Sequence, residues 1–207
     1  MAGRGGIGVN HAHAVVVLAA GGSTRLGQPK QLLMRDGETL VHRAVRLALE
    51  TSPAQMLVVV GAGGDAIAAA VADLDCSVVG NRDWQSGLAG SLHIAGEHLD
   101  AGVERVLVLV CDQPALERKY LDMLLEGARA TATVCAATLH GEALGVPAVV
   151  PREWFDAVPS AGDRGFGARL WQQRDAGLFM LEAPELGMDI DSPEDLAKAR
   201  ERGWLDA

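Results

Sequence analysis

The chain has 207 residues, 49% apolar and 22% charged, enough to build one sizeable core and too apolar for a disordered tail. With 27 Asp and Glu against 18 Lys and Arg, its net charge of −9 argues against a nucleic-acid binder that neutralises phosphates along a basic face. Cys76, Cys111 and Cys135 are too far apart for a disulfide framework or a zinc cluster, and they are expected as buried thiols in a reducing, cytoplasmic setting.

Residues 1–12 are Gly-rich and expected to form a flexible leader to a single domain over 13–207. Arg4 ahead of the apolar run 14–20 imitates a signal peptide, but the run is too short, and no stretch approaches the roughly 20 apolar residues of a membrane span. A strand is expected over 14–18, a helix over 40–50, a strand over 56–60 and a helix over 65–72. Strand 76–79, helix 88–99, strand 105–110 and helix 116–128 follow, then strands 133–137 and 146–150 and a last helix over 192–202. The strand segments are continuously apolar, the mark of strands buried on both faces, so the fold class expected is α/β with a mostly parallel sheet. Ser192-Pro193-Glu194-Asp195 supplies a capping hydroxyl, Pro at the first helical position and an acid three residues after the cap.

In an open parallel sheet, ligands sit beyond the carboxyl ends of the strands. The loop Gly21-Gly-Ser-Thr-Arg25-Leu-Gly-Gln-Pro-Lys30 leaves the first strand there, with glycines that let backbone N–H groups approach phosphate oxygens and two cations to neutralise them. It is not a Walker A loop, since Gln28 stands where Lys should follow Gly27. An ordinary solvated surface loop is the competing reading. Asp112 follows the fourth strand, and Asp189 and Asp191 precede the last helix. Two carboxylates from separate strand ends suit Mg²⁺ when substrate phosphates complete its shell, but a turn acid at Asp112 and a helix-start acid at Asp191 explain them equally well one at a time.

Two glycine patterns compete. Gly3-Arg-Gly-Gly-Ile-Gly8 fits GxGxxG but precedes the first strand. Gly61-Ala-Gly-Gly-Asp-Ala66 follows a strand, with Asp83 seventeen residues beyond, so an NAD-binding module stays open beside a plain tight turn. The six histidines show no metal or triad spacing and are expected in the leader, on the surface or on helices; Ser23 and Ser91 lack a nucleophile-elbow context.

Leu18-Ala-Ala-Gly-Gly-Ser-Thr-Arg-Leu-Gly-Gln-Pro-Lys30 resembles the LAAGxSxRMGxxK signature of MobA-like nucleotidyltransferases, and specifically their molybdenum cofactor cytidylyltransferase branch. The similarity continues in order through Asn81-Arg-Asp-Trp-Gln-Ser-Gly-Leu-Ala-Gly-Ser-Leu92, Cys111-Asp-Gln-Pro114, Gly162-Asp-Arg-Gly165 and Asp189-Ile-Asp-Ser-Pro-Glu-Asp-Leu196. Cys111, Arg82 and Phe166-Gly167 depart from the family pattern. The resemblance implies a Rossmann-like three-layer nucleotidyltransferase fold and transfer of CMP from CTP to a molybdopterin-type acceptor. It further implies Arg25, Lys30 and Asp112 as catalytic residues, and Mg²⁺ on Asp112 and Asp191. Nucleotide contacts are expected from Leu18, Ala19, Ala20, Gly21, Gly22, Arg25, Lys30, Gly61, Asp83, Gly87 and Ser91. Ala19-Ala20-Gly21 points to CTP, where guanylyltransferase relatives usually carry Ala-Gly-Gly. Guanylyl transfer, or another small phosphate acceptor, is the alternative, and a molybdoenzyme or its maturation chaperone is the expected protein partner.

Overall fold

A computed structural model of the chain describes residues 12–207. Most of the expected leader, and the Gly3–Gly8 pattern within it, lie outside the described residues. In chain order the strands are β1 (His13–Ala19), β2 (Met34–Arg35), β3 (Glu38–Thr39), β4 (Gln55–Val60), β5 (Ser77–Gly80), β6 (Arg105–Val110), β7 (Ala136–His140), β8 (Ala143–Pro151) and β9 (Phe179–Glu182). The helices are α1 (Leu40–Leu49), α2 (Gly64–Ala70), α3 (Leu88–His98), α4 (Arg118–Ala130), α5 (Gly167–Gln173) and α6 (Pro193–Glu201), with short 3-10 turns between.

Seven strands form one sheet in the order β5-β4-β1-β6-β8-β7-β9. Pairing is parallel except around β8, which runs against both β6 and β7. Alternation along β1 shows why the strand segments are apolar throughout. Val15, Val17 and Ala19 enter the core under α1, α2 and α4, while Ala14, Val16 and Leu18 enter the core under α3 and α5. The sheet is thus the middle of three layers.

A third apolar cluster ties α6 to the signature loop, with Leu196, Ala199 and Leu205 packed on Leu26, Leu33 and Ile190. The start of α6 is built as its sequence dictates. Ser192 Oγ accepts from the Asp195 N–H at 3.2 Å, and the Asp195 carboxylate accepts from the Ser192 N–H at 3.0 Å.

The expected strand 133–137 is displaced. Val134 has a φ of 55° in a turn, and the strand begins at Ala136. Its second half carries Thr138 and His140, so an apolar-run criterion stops short of it; the buried Thr138 hydroxyl donates to Pro147 O at 2.8 Å. β9 and α5 were not expected, although Leu178-Phe-Met-Leu181 is a continuous apolar run that leads into β9; α5 buries only Leu170, too little to make an apolar pattern. The β2–β3 hairpin had a legible signal that was passed over, since Asp36-Gly37 turns with φ of 56° and 77°, the primed turn these residues favour. His13, expected at a surface or leader position, is instead buried as the first residue of β1, within 2.9 Å of the Thr51 hydroxyl.

Candidate active site

The chain passes from β1 outward to β4 and β5, then returns to place β6 on the other side of β1. The crevice at this reversal lies beyond the carboxyl ends of β1 and β6, where doubly wound sheets bind ligands. It measures ≈410 Å³ and is walled by Leu18–Gly22, Lys30 and Gln31 together with Trp84, Gly87, Ser91, Asp112 and Asp163. Of the residues singled out in the sequence, Leu18, Ala19, Ala20, Gly21, Gly22, Lys30, Gly87, Ser91 and Asp112 line it. Arg25 and Asp191 meet at its rim. Gly61 opens instead into a neighbouring groove, and Asp83 lines neither cavity.

Four charged residues from distant parts of the chain converge. Lys30 Nζ donates to Asp191 Oδ1 at 2.7 Å and is ion-paired with Asp112 Oδ2, while Arg25 Nη2 donates to Asp191 Oδ2 at 2.7 Å. The backbone explains the meeting of the acids: the Ile190 N–H donates to Asp112 O at 3.1 Å, laying residues 189–191 along the exit of β6. Burial works against the Lys30 ammonium, but the charge of Asp112 and the bonds to both carboxylates outweigh it and raise its pKa above the ordinary lysine range. The bond from Lys30 holds the Asp191 carboxyl below the ordinary Asp range. Desolvation, and then the charge of Asp112, push Asp189 up to about 6, although the residue is exposed at the surface.

The loop itself is held open from below by Gln31, a residue sequence reasoning passed over. Fully buried, its Nε2 donates to Ala19 O at 3.0 Å and Gly21 O at 2.7 Å, and its Oε1 faces the Ser23 hydroxyl at 3.4 Å. Ser23 Oγ in turn accepts from the Lys30 N–H at 3.1 Å. With those carbonyls turned toward Gln31, no N–H of Gly21–Arg25 has a hydrogen-bond partner among the described residues. Backbone donors left free beside Arg and Lys form an anion-binding surface. Its adjacency to Lys30 in the signature was the available signal for Gln31.

Gly22 and Gly61 are required by Trp84. A Cβ on Gly22 would sit 2.6 Å from the far edge of the indole, and one on Gly61 would sit 2.6 Å from both Ala20 O and Trp84 Cβ. The Gly61–Ala66 pattern thus has a packing explanation. Across the crevice, the Gly162–Gly165 segment is stitched to the Asn81–Leu92 segment: the Gly162 N–H donates to Ser86 O at 2.7 Å and the Ala89 N–H to Gly162 O at 2.8 Å. This brings Asp163 into the wall. Phe166, a departure from the family pattern, is a core residue packed on Trp154 and Phe155 with ring centroids 5.7 and 5.0 Å away. The Ser91 hydroxyl accepts from Asn81 Nδ2 at 3.1 Å.

A hard cation needs oxygen donors, and the site offers them. Asp112 Oδ1 is buried without a protein partner, and Lys30 already draws Asp112 and Asp191 together as a cation would. Among the described residues no three His, Cys, Asp or Glu side chains cluster as a metal site; a two-carboxylate site is the kind Mg²⁺ shares with phosphate oxygens. No helix of the described residues is long and apolar enough to cross a membrane.

Fold and crevice together define a nucleotide-handling α/β protein with an anion-binding loop facing two carboxylates. Residues 15–177 match the model of the MobA-like NTP transferase domain, and the chain belongs to that family. It is 32% identical over 190 residues to the nicotine blue oxidoreductase of Paenarthrobacter nicotinovorans, covering 87% of this chain and 93% of that protein. Among solved structures it resembles a nucleotidyl transferase from Methanothermobacter thermautotroptrophicus, with a TM-score of 0.77 and 26% identity over 93% of this chain and 97% of that one. The fold is shared with Rv0371c of Mycobacterium tuberculosis in complex with manganese, at TM-score 0.69 and 24% identity over 92% of this chain and 98% of that one.

Proposed function

We propose that the protein transfers CMP from CTP to the terminal phosphate of a molybdopterin-type cofactor and releases pyrophosphate. The observation that carries the transfer is the convergence of Arg25, Lys30, Asp112 and Asp191 beside the unpaired amides of Gly21–Arg25, within a family of NTP transferases. The finer reading, CTP and molybdopterin, is supported by the five ordered motifs of the sequence and by Ala19-Ala20-Gly21 within the first of them.

In the transfer, an acceptor phosphate oxygen attacks the α-phosphorus, a new P–O–P bond forms, and the bond from the α-phosphorus to its bridging oxygen breaks to release pyrophosphate. The attacking phosphate is already anionic, so the chain needs no general base. Lys30 and Arg25 neutralise charge gathering on the phosphoryl oxygens and the leaving pyrophosphate, and the loop amides hold the triphosphate in line. Asp112 and Asp191 are the residues to hold a divalent cation, Mg²⁺ by expectation, which when bound supplies further charge neutralisation at the phosphates. Asp163, which also lines the crevice, is the acid nearest the acceptor in this reading.

The test incubates the protein with molybdopterin, Mg²⁺ and each labelled nucleoside triphosphate, and looks for pyrophosphate and the dinucleotide. Product with GTP alone moves the reading to guanylyl transfer. Product with no triphosphate removes it. The similarity to a nicotine blue oxidoreductase favours a second reading, an oxidoreductase, for which the Gly61–Ala66 pattern makes a nicotinamide the cofactor to try. Consumption of NADH by the same protein in the presence of nicotine blue, without pyrophosphate release, would put that reading first.

A further inference from the structure

Trp84 occupies a junction that the phosphate chemistry does not use. It stands in the wall of the crevice at the ends of β1 and β6, and also in the wall of a second groove of ≈740 Å³ at the ends of β4 and β5, beside Gly61, Asp65, Asn81 and Arg82. The indole spans the gap between them. Its Cβ lies against Gly61 and its far edge against Gly22, so the ring bridges the exit of β4 and the first phosphate-facing stretch of the signature loop. The side chain packs on the core under α3 and stays partly exposed.

The backbone on either side of the ring is fixed. The Asn81 N–H donates to Val60 O at 2.7 Å, Asn81 Oδ1 accepts from the Asp83 N–H at 3.0 Å, and Ser86 O accepts from the Gly162 N–H. A large half-exposed aromatic held on a pinned turn is a preorganised surface. A ligand with its phosphates on the loop amides and its remaining bulk in the second groove would run along this side chain, which lines both cavities.

We infer that Trp84 is the stacking platform for the nucleoside part of the triphosphate, a binding residue whose contact is made with a base or ribose and not with phosphate. The inference rests on the nucleotidyl-transfer reading. Because every base has a π-face, stacking supplies affinity with little choice among bases. Base selection then falls to the groups around the ring, Ala19-Ala20-Gly21 among them.

Titration calorimetry with Mg²⁺ tests this on wild type, Trp84→Phe and Trp84→Leu, using CTP, GTP, ATP, UTP and inorganic tripolyphosphate. In Trp84→Leu, the triphosphates that bind wild type should each weaken about tenfold or more, the scale of losing one base–aromatic stack. Tripolyphosphate should bind all three proteins alike, and Trp84→Phe should keep most of the nucleotide affinity. Equal weakening of tripolyphosphate and nucleotides in Trp84→Leu would show that the indole merely props the loop, and would overturn the platform. Wild-type protein that binds tripolyphosphate but no nucleoside triphosphate would instead remove the nucleotidyl-transfer reading itself.

Discussion

Replacing Lys30 by Met keeps most of the side-chain volume and removes the charge that joins two carboxylates. The Lys30 and Asp112 side chains are only 16% and 12% exposed, whereas Asp191 is 40% exposed. Two unit charges near contact in a medium of effective dielectric about 20 attract by about 4 kcal/mol, and removing one partner of a buried pair costs about 3–5 kcal/mol because the other is left unpaired. The half-exposed Asp191 bond adds little, being screened by solvent. Lys30→Met should therefore lose about 3 kcal/mol at neutral pH, read as a lowered urea midpoint at unchanged slope. In the cycle with Asp112→Asn, the double variant should be less destabilised than the two single losses added together, with a coupling of about 1–3 kcal/mol. Nucleotidyl transfer should fall about 10²-fold or more, the scale for one lost charge-stabilising donor. Wild-type stability together with no coupling would refute the placement of the ammonium between the two acids.

Asp112→Ala should leave a folded protein without Mg²⁺-dependent transfer; full turnover by the purified variant would mean that the cation is held elsewhere. Gly61→Ala forces a Cβ to 2.6 Å from Ala20 O and Trp84 Cβ, so it should cost about 1–3 kcal/mol by overpacking and displace the loop, checked by thermal unfolding and by tripolyphosphate affinity. His13 has its pKa lowered to about 4 by burial, then by the charges of Arg129 and Arg105, below the unfolded value of about 6.5. The unfolded chain therefore takes up the proton first as pH falls, and the stability held above pH 6.5 is lost down to about pH 4. Between pH 7.5 and 4.5 the loss from this one group should be about 2.5 kcal/mol. His13→Gln should remove that part of the urea-midpoint shift, and an identical shift in the variant would assign the acid sensitivity to other groups.

Local signals carried much of this protein. Strands buried on both faces must be apolar throughout, so β1, β4 and β6 are legible one by one, and the Ser192–Asp195 cap marks the start of α6 without reference to anything distant. The anion-binding character of Gly21–Lys30 is legible for the same reason, since glycines and cations act through their own backbone and charge. Residue chemistry by itself left open which acids the loop would face, because Asp112 and Asp191 each had an adequate local explanation; the family resemblance named both, but not how the chain brings them together. Only the return of β6 to the side of β1, and the Ile190–Asp112 backbone bond, put both on one ammonium. Tertiary packing likewise decided the meaning of Gly61, whose missing side chain makes room for Trp84, and the role of Gln31, whose amide acts on carbonyls ten and twelve residues earlier. An element that buries one residue, such as α5, exists because its neighbours complete it, and a chain read residue by residue contains no trace of that.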